Sequence, residues 1–226
     1  MALFAFRPSR SHLSCRVLTG IPIDSVQSLQ QVLRIFHRDY KVPHVVISSV
    51  PLQGKFLKTL PAWLRRNHGE NDQELDATLE PLMCIASTLR DDDDHISSVH
   101  AFQIPRIPGY FSGVGDLFSA LVLGHFNRPG VRGAIKGTPL SQAVYKACRT
   151  THGILWRTHL YSMSLPAEER TASDEELDTK DPERKVRRMK GRELRLIQEQ
   201  NLITDHYIDV AEQGVEENEE WTDFWK

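Results

Sequence analysis

The chain has 226 residues and carries 28 Lys and Arg against 30 Asp and Glu, a formal net charge of −2. A balance so close to neutral supplies no electrostatic drive toward nucleic acid or an anionic membrane surface, and no apolar run approaches the ~20 residues of a membrane span. Cys15, Cys84 and Cys148 are odd in number and widely spaced; they form neither a disulfide framework nor a metal-ligand pattern, and they read as buried, reduced thiols of a cytoplasmic protein.

In chain order, residues 1–17 show no clear period. Met1 to Arg10 is apolar, then basic and Ser-rich, and too short for a secretory h-region. Asp24 is positioned as the N-cap of a helix with Val26, Leu29, Val32, Leu33 and Phe36 on one face, ended by Tyr40-Lys-Val-Pro43. His44-Val-Val-Ile-Ser-Ser49 is a continuous apolar, β-branched run that predicts a buried parallel strand. A helix followed by a buried strand is half of an α/β unit. From Pro51 to Glu80 the β character is lost, and a surface excursion is expected with one short helix around Leu57–Leu64. Leu82-Met-Cys-Ile-Ala-Ser87 and Ser97-Ser-Val-His-Ala-Phe-Gln-Ile104 predict a hairpin about Asp91-Asp-Asp-Asp94, which reads as a solvated turn rather than a metal site.

The stretch from Arg106 to His125 reads as a loop running into a helix. Pro105 and Pro108 forbid helix before it, and Gly113 and Gly115 permit a tight turn with positive φ. Leu117, Phe118, Leu121, Val122 and His125 then recur at helical spacing, so the helix begins at about Gly115-Asp116. A Gly-X-Gly turn at a helix start offers unpaired N–H groups to phosphate. Asp116 beside it is either a simple N-cap or the base that hydroxyl-to-phosphate transfer needs. Residues 124–138 predict a loop, and Pro139 opens a long helix to about Tyr161 with Ala143, Val144, Ala147, Thr151, Ile154 and Leu155 on its buried face. Residues 163–190 are charged and nearly free of large apolar groups, which predicts disorder or an insertion. Glu193-Leu-Arg-Leu-Ile-Gln198 alternates like a strand within a region spanning 191–210, and residues 211–226 read as a loose acidic tail in which Trp221 and Trp225 pack on this chain or on a partner.

Gly113-Val-Gly-Asp-Leu-Phe-Ser-Ala120 resembles the anion-hole and catalytic-base motif of the ribokinase-like superfamily, and within it the fungal-type pyridoxal kinases. Two departures from other branches point the same way. Tyr110 and Phe111 stand where sugar kinases carry Asp-Thr, and Asp116 stands where hydroxymethylpyrimidine kinases have Cys; Val114 replaces a Thr common in the family. The resemblance covers roughly 18–162 and 191–203. It implies an α/β fold, the C-terminal part of a three-layer α/β/α ribokinase-like domain with mostly parallel strands. Residues 1–17 are then a leader unrelated to the family.

The resemblance implies ATP-dependent phosphorylation of the 5′-hydroxymethyl group of pyridoxal, with pyridoxine and pyridoxamine as further substrates, by a homodimer. Asp116 takes the hydroxyl proton, and the N–H groups of Gly113, Val114 and Gly115 form the anion hole. Ser48 and Ser49 match a hydroxyl pair facing the phosphates, and Ile107, Phe111 and Leu155 match the walls of the adenine slot. Taken alone, the serines equally suit a capped strand end and the apolar residues a core. Mg²⁺ bridges the ATP phosphates, and a monovalent cation such as K⁺ assists. Ahead of residue 18 the family has a strand-end motif Thr-Pro-Asn-x-x-Glu; here Ser9, Ser11 and Ser14 fall at its Thr, Asn and Glu, so the carboxylate that supports Mg²⁺ is absent. The expectation is a truncated and impaired chain with an exposed sheet edge. Two alternatives remain: a hydroxymethylpyrimidine or sugar kinase, and a non-catalytic nucleotide-binding or dimerising remnant.

Overall fold

The computed structural model describes residues 2–4, 11–52, 54–65, 81–90, 97–109, 111–126, 137–167, 175–204 and 219–226. Asp91–Asp94, Tyr110, most of the expected 124–138 loop and most of the polar excursion after Arg65 lie outside these residues.

Five strands form one sheet in sequence order: β1 (Ala2–Phe4), β2 (His44–Pro51), β3 (Leu82–Leu89), β4 (Ser97–Ile104) and β5 (Glu219–Glu220). Side chains alternate across it. Val45, Ile47, Met83, Ile85, Val99 and Ala101 join one apolar cluster, and Val46, Cys84, Ala86 and Phe102 join another. Both faces are therefore apolar and both must be covered. On the first lie α1 (Ser11–Thr19), α2 (Val26–Arg34) and α3 (Gly54–Thr59), followed by a 3₁₀ turn at Ala62–Arg65. On the second lie α4 (Val114–Phe126) and α5 (Pro139–Ser164). The result is the expected three-layer α/β/α arrangement.

The α2 face is as the 3.6-residue period predicts: Leu29, Val32, Leu33 and Phe36 are each at most 1% exposed. Its cap is Ser25 rather than Asp24. Ser25 Oγ accepts from the Ser28 N–H at 3.2 Å while Ser28 Oγ accepts from the Ser25 N–H at 3.1 Å, a reciprocal pair that an Asp one residue earlier cannot make. The helix ends through a π turn at Ile35–Asp39.

Strand direction differs from expectation. Only β1 and β2 run parallel, and β2–β3, β3–β4 and β4–β5 are antiparallel. The excursion after β2 leaves and returns at one end of the sheet, where the Leu52 N–H donates to the Pro81 carbonyl at 3.3 Å, so β3 must run back. The edge expected to be exposed is paired along Val45–Ile47 by β1, and Cys15 of α1 is fully buried. Within residues 1–17, Ala2–Phe4 forms β1 and residues 11–17 lie in α1.

Three C-terminal expectations are also corrected. Among residues 163–190, expected to be disordered, Glu175–Lys180 (α6) and Pro182–Lys190 (α7) are helical. Ends and charges hold them: Asp181 Oδ1 accepts from the Glu183 and Arg184 N–H groups, Pro182 fits the first turn, and Arg184 reaches Asp178 at 2.8 Å. Residues 193–198 are not a strand. Leu196 and Ile197 are exposed, Glu193 alone bridges to Ser112, and the chain turns into α8 (Gln200–Thr204). Of the expected loose tail, residues 219–226 pack instead. Its β5 pairs with His100 and Ala101, the Trp221 N–H donates to the Val99 carbonyl at 2.8 Å, and Trp221 and Phe224 join the first cluster.

Trp221→Ala should therefore cost about 3–5 kcal/mol, the usual loss for a buried large aromatic, read as a lowered urea midpoint; an unchanged midpoint would return the segment to a loose tail. A second expectation concerns pH. His37 Nδ1–H donates to the Val42 carbonyl at 2.7 Å and its Nε2 lies 2.8 Å from Ser87 Oγ. Burial holds the His37 pKa below its ordinary value of 6.5, against a smaller upward pull from Val42, and burial likewise lowers His100. Below pH 6.5 the unfolded chain binds protons that the fold refuses. Stability should be complete above that pH and fall as pH drops below it, with His37→Gln flattening the fall in urea titrations between about pH 5 and 8.

Candidate functional site

β2 is regular to Ile47 and then breaks. Ile47 faces Ile85 and Val50 faces Met83, so the register shifts across Ser48 and Ser49. Ser49 takes φ +58, a left-handed value that costs a non-glycine residue of order 1 kcal/mol. The bulge brings both serines to a cleft at this end of the sheet; Ser48 is buried and Ser49 half-buried.

The next wall follows β4. Pro105, Arg106 and Ile107 leave the strand, Gly109 turns with φ +111, and Phe111 folds back, 8% exposed. His159 of α5 steadies this loop through a hydrogen bond to the Pro108 backbone; burial lowers its pKa more than that bond raises it. Gly113, at φ +81, makes the final turn into α4. A Cβ there would lie 3.8 Å from Leu194, so the constraint is the backbone angle rather than space. The helical ladder starts with the Leu117 N–H donating to the Gly113 carbonyl at 3.0 Å, which leaves the N–H groups of Val114, Gly115 and Asp116 without partners inside the helix.

Between these walls lies a cleft of about 840 Å³, its open mouth included. Its lining is mainly apolar, as in small-molecule sites. Ser48, Ser49, Ile107, Phe111, Val114, Gly115 and Leu155 all line it. Seven residues picked from separate parts of the sequence thus converge. Gly113 and Asp116 do not line it; they flank the lining pair in the same turn, and Asp116 is exposed. One local expectation is corrected: only Gly113 has positive φ, while Gly115 is already helical.

Leu82, Ile104, Arg106, Phe118, Cys148 and Thr151 complete much of the lining without having been assigned to it. Arg106 supplies an exposed cation at the rim. Cys148 and Thr151 precede Leu155 by seven and four residues, and that helical spacing alone put them on its face. The Cys84 thiol is pushed well up, first by burial and then by the adjacent Cys148. The arrangement can hold a flat apolar ring between side chains and an anion at a helix start, the two ends of a nucleotide.

No family model matches the chain. A protein of Schizosaccharomyces pombe that bears the provisional name pyridoxal kinase is 28% identical over 173 residues, 75% of this chain and 47% of its own length. The pyridoxal kinase of Dictyostelium discoideum is 31% identical over 153 residues, 66% of this chain and 40% of its own. Among solved structures, the pyridoxal kinase from Leishmania donovani in complex with ADP superposes with a TM-score of 0.51 at 17% identity, covering 85% of this chain and 47% of that one. The same protein with ADP and pyridoxine gives 0.50 at 15% identity, over 85% of this chain and 46% of that one. The chain thus spans less than half the length of the curated relatives it matches. By sequence the chain is similar to part of these pyridoxal kinases, and by fold it resembles part of the pyridoxal kinase structure.

Proposed function

We propose that the cleft is the nucleotide site of an ATP-dependent kinase whose acceptor is the 5′-hydroxymethyl group of pyridoxal, with pyridoxine and pyridoxamine as further acceptors. The observation that carries this is the convergence of the α4 start, the Ser48–Ser49 bulge and the apolar walls on one cleft. The names of the relatives supply the acceptor, and the ADP bound to the structural neighbour supplies the nucleotide.

In this reading Ile107, Phe111 and Leu155 hold the adenine faces. Ser48 and Ser49 donate to phosphate oxygens. The N–H groups of Gly113, Val114 and Gly115 meet the negative charge of the transferring phosphoryl group, aided by the positive end of α4. Asp116, exposed one residue beyond the lining, accepts the proton of the acceptor hydroxyl as its oxygen attacks the γ-phosphorus and ADP leaves. Mg²⁺, when bound, neutralises charge on the phosphates, and K⁺ is a further cation implied by the family. Among the described residues no three His, Cys, Asp or Glu side chains are grouped to hold a metal. The working protein is read as a cytoplasmic homodimer; among the described residues no helix is long and apolar enough to cross a membrane.

A second reading, a nucleotide-binding or dimerising module without turnover, is favoured by Ser14, which occupies α1 where the family resemblance places a glutamate. The deciding measurement is ATP-dependent formation of pyridoxal 5′-phosphate, alongside ATP binding. Asp116→Asn should lower kcat by about 10²–10⁴-fold while leaving the ATP Kd within about twofold, because the carboxylate serves the acceptor. Parental turnover in that variant would remove Asp116 from the chemistry. ATP binding without phosphoryl transfer in the parent would favour the module.

The anion hole has its own test. Gly115 lines the cleft in the first turn of α4, so Gly115→Val places a branched side chain beside the expected phosphate. Its ATP Kd should rise tenfold or more, about 1.4 kcal/mol, with the melting temperature little changed. Unaltered ATP affinity would show that phosphate binds elsewhere.

A further inference from the structure

Thr151 sits on α5 one turn before Leu155 and almost one turn after Cys148, on the face that α5 presents to the cleft. The residue is only 6% exposed, yet among the described residues its Oγ1 has no hydrogen-bond partner. A buried helical hydroxyl ordinarily turns back onto the preceding turn. Thr158 does so, donating to the Ile154 carbonyl at 2.7 Å, and Ser119 donates to the Gly115 carbonyl at 2.8 Å. Thr151 makes no such bond. Leaving a buried hydroxyl unpaired is costly, and in the wall of a cleft the missing partner is what a ligand supplies. The Cys148 thiol one turn away lies against Cys84. Ile107, Phe111 and Leu155 offer no hydrogen bond of their own.

We propose that the Thr151 hydroxyl is the hydrogen-bonding contact for the base of the bound nucleotide. The inference rests on the nucleotide reading above. Apolar walls grip the faces of a purine but cannot tell it from another flat ring. A hydroxyl both donates and accepts, so it meets the ring nitrogens and exocyclic groups on the base edge. Thr151 then fixes which edge enters, while the phosphate contacts belong to other elements, the first turn of α4 and the end of β2.

Calorimetric titration of the full 226-residue chain with ATP and with inorganic tripolyphosphate tests this. Thr151→Val keeps the shape and removes the hydroxyl. Its ATP affinity should fall about tenfold, with tripolyphosphate affinity unchanged. The melting temperature of the unliganded variant should not fall, because no bond is lost there. Thr151→Ser should retain ATP affinity within about threefold of the parent. Unchanged ATP affinity in Thr151→Val overturns the proposal and leaves the nucleotide reading standing. Equal losses for both ligands with a lower melting temperature overturn it too, in favour of a packing role. A parent chain that binds no ATP overturns the nucleotide reading and this inference with it.

Discussion

The cleft depends on the break in β2. A strand that stayed regular past Ile47 would send Ser48 and Ser49 to opposite faces of the sheet, one into each apolar cluster. The extra residue of the bulge removes that alternation, and the left-handed turn at Ser49 aims the backbone toward the loop after β4. The strain is local, and the strand is anchored on both sides: Val45 to Ile47 lies between β1 and β3, and Val50 and Leu52 are sealed in the first cluster. A deformation of order 1 kcal/mol is held by several buried side chains, each contributing about as much or more.

The other walls follow from the same sheet. Because both faces are apolar, α4 and α5 must lie across one of them, and the chain from β4 must cross the sheet end to reach α4. Pro105 and Pro108 keep that crossing extended, and Gly109 and Gly113 supply its two left-handed corners. α5 then braces it from behind, through His159 to Pro108 and through Thr158, whose hydroxyl accepts from the Arg195 N–H at 3.3 Å. The segment after α7 returns beside Gly113 at Leu194 and bridges to Ser112 at Glu193. The turn into α4 is thus clamped between a helix and a returning loop.

Much of this was legible in the residues. The α2 face, the β3–β4 hairpin, the start of α4 and the length of α5 follow from long, clean periods and from Pro and Gly at the boundaries. Direction was not: a β-branched run such as His44–Ser49 reads the same in a parallel or antiparallel sheet, and only the return of the chain at Leu52 and Pro81 decides it. A Gly-X-Gly turn does not reveal which glycine is left-handed, and here it is Gly113 alone. α7 escaped because its support is end chemistry, Asp181 and Pro182 with flanking arginines, rather than apolar period. The alternation at 193–198 misled because a strand needs a free edge beside it, and only Glu193 finds one. For the cleft, motif and strand end were readable from sequence, whereas Thr151 passed as core because its burial was visible and its missing partner was not.

The three cysteines carry a practical consequence. All are buried and free of disulfides, with Cys15 pushed up to about 12 by its surroundings and Cys84 raised as well. Thiolate is the reactive form, so at Cys15 and Cys84 an alkylating reagent finds almost none in the native chain. Cys15 belongs to the helical layer on one side of the sheet and Cys148 to the layer on the other, where the Cys84 side chain meets it from β3. Each layer therefore has its own built-in reporter. The rate at which each thiol becomes labelled measures how often that layer opens, and comparing the two rates shows whether the layers part from the sheet together or one at a time.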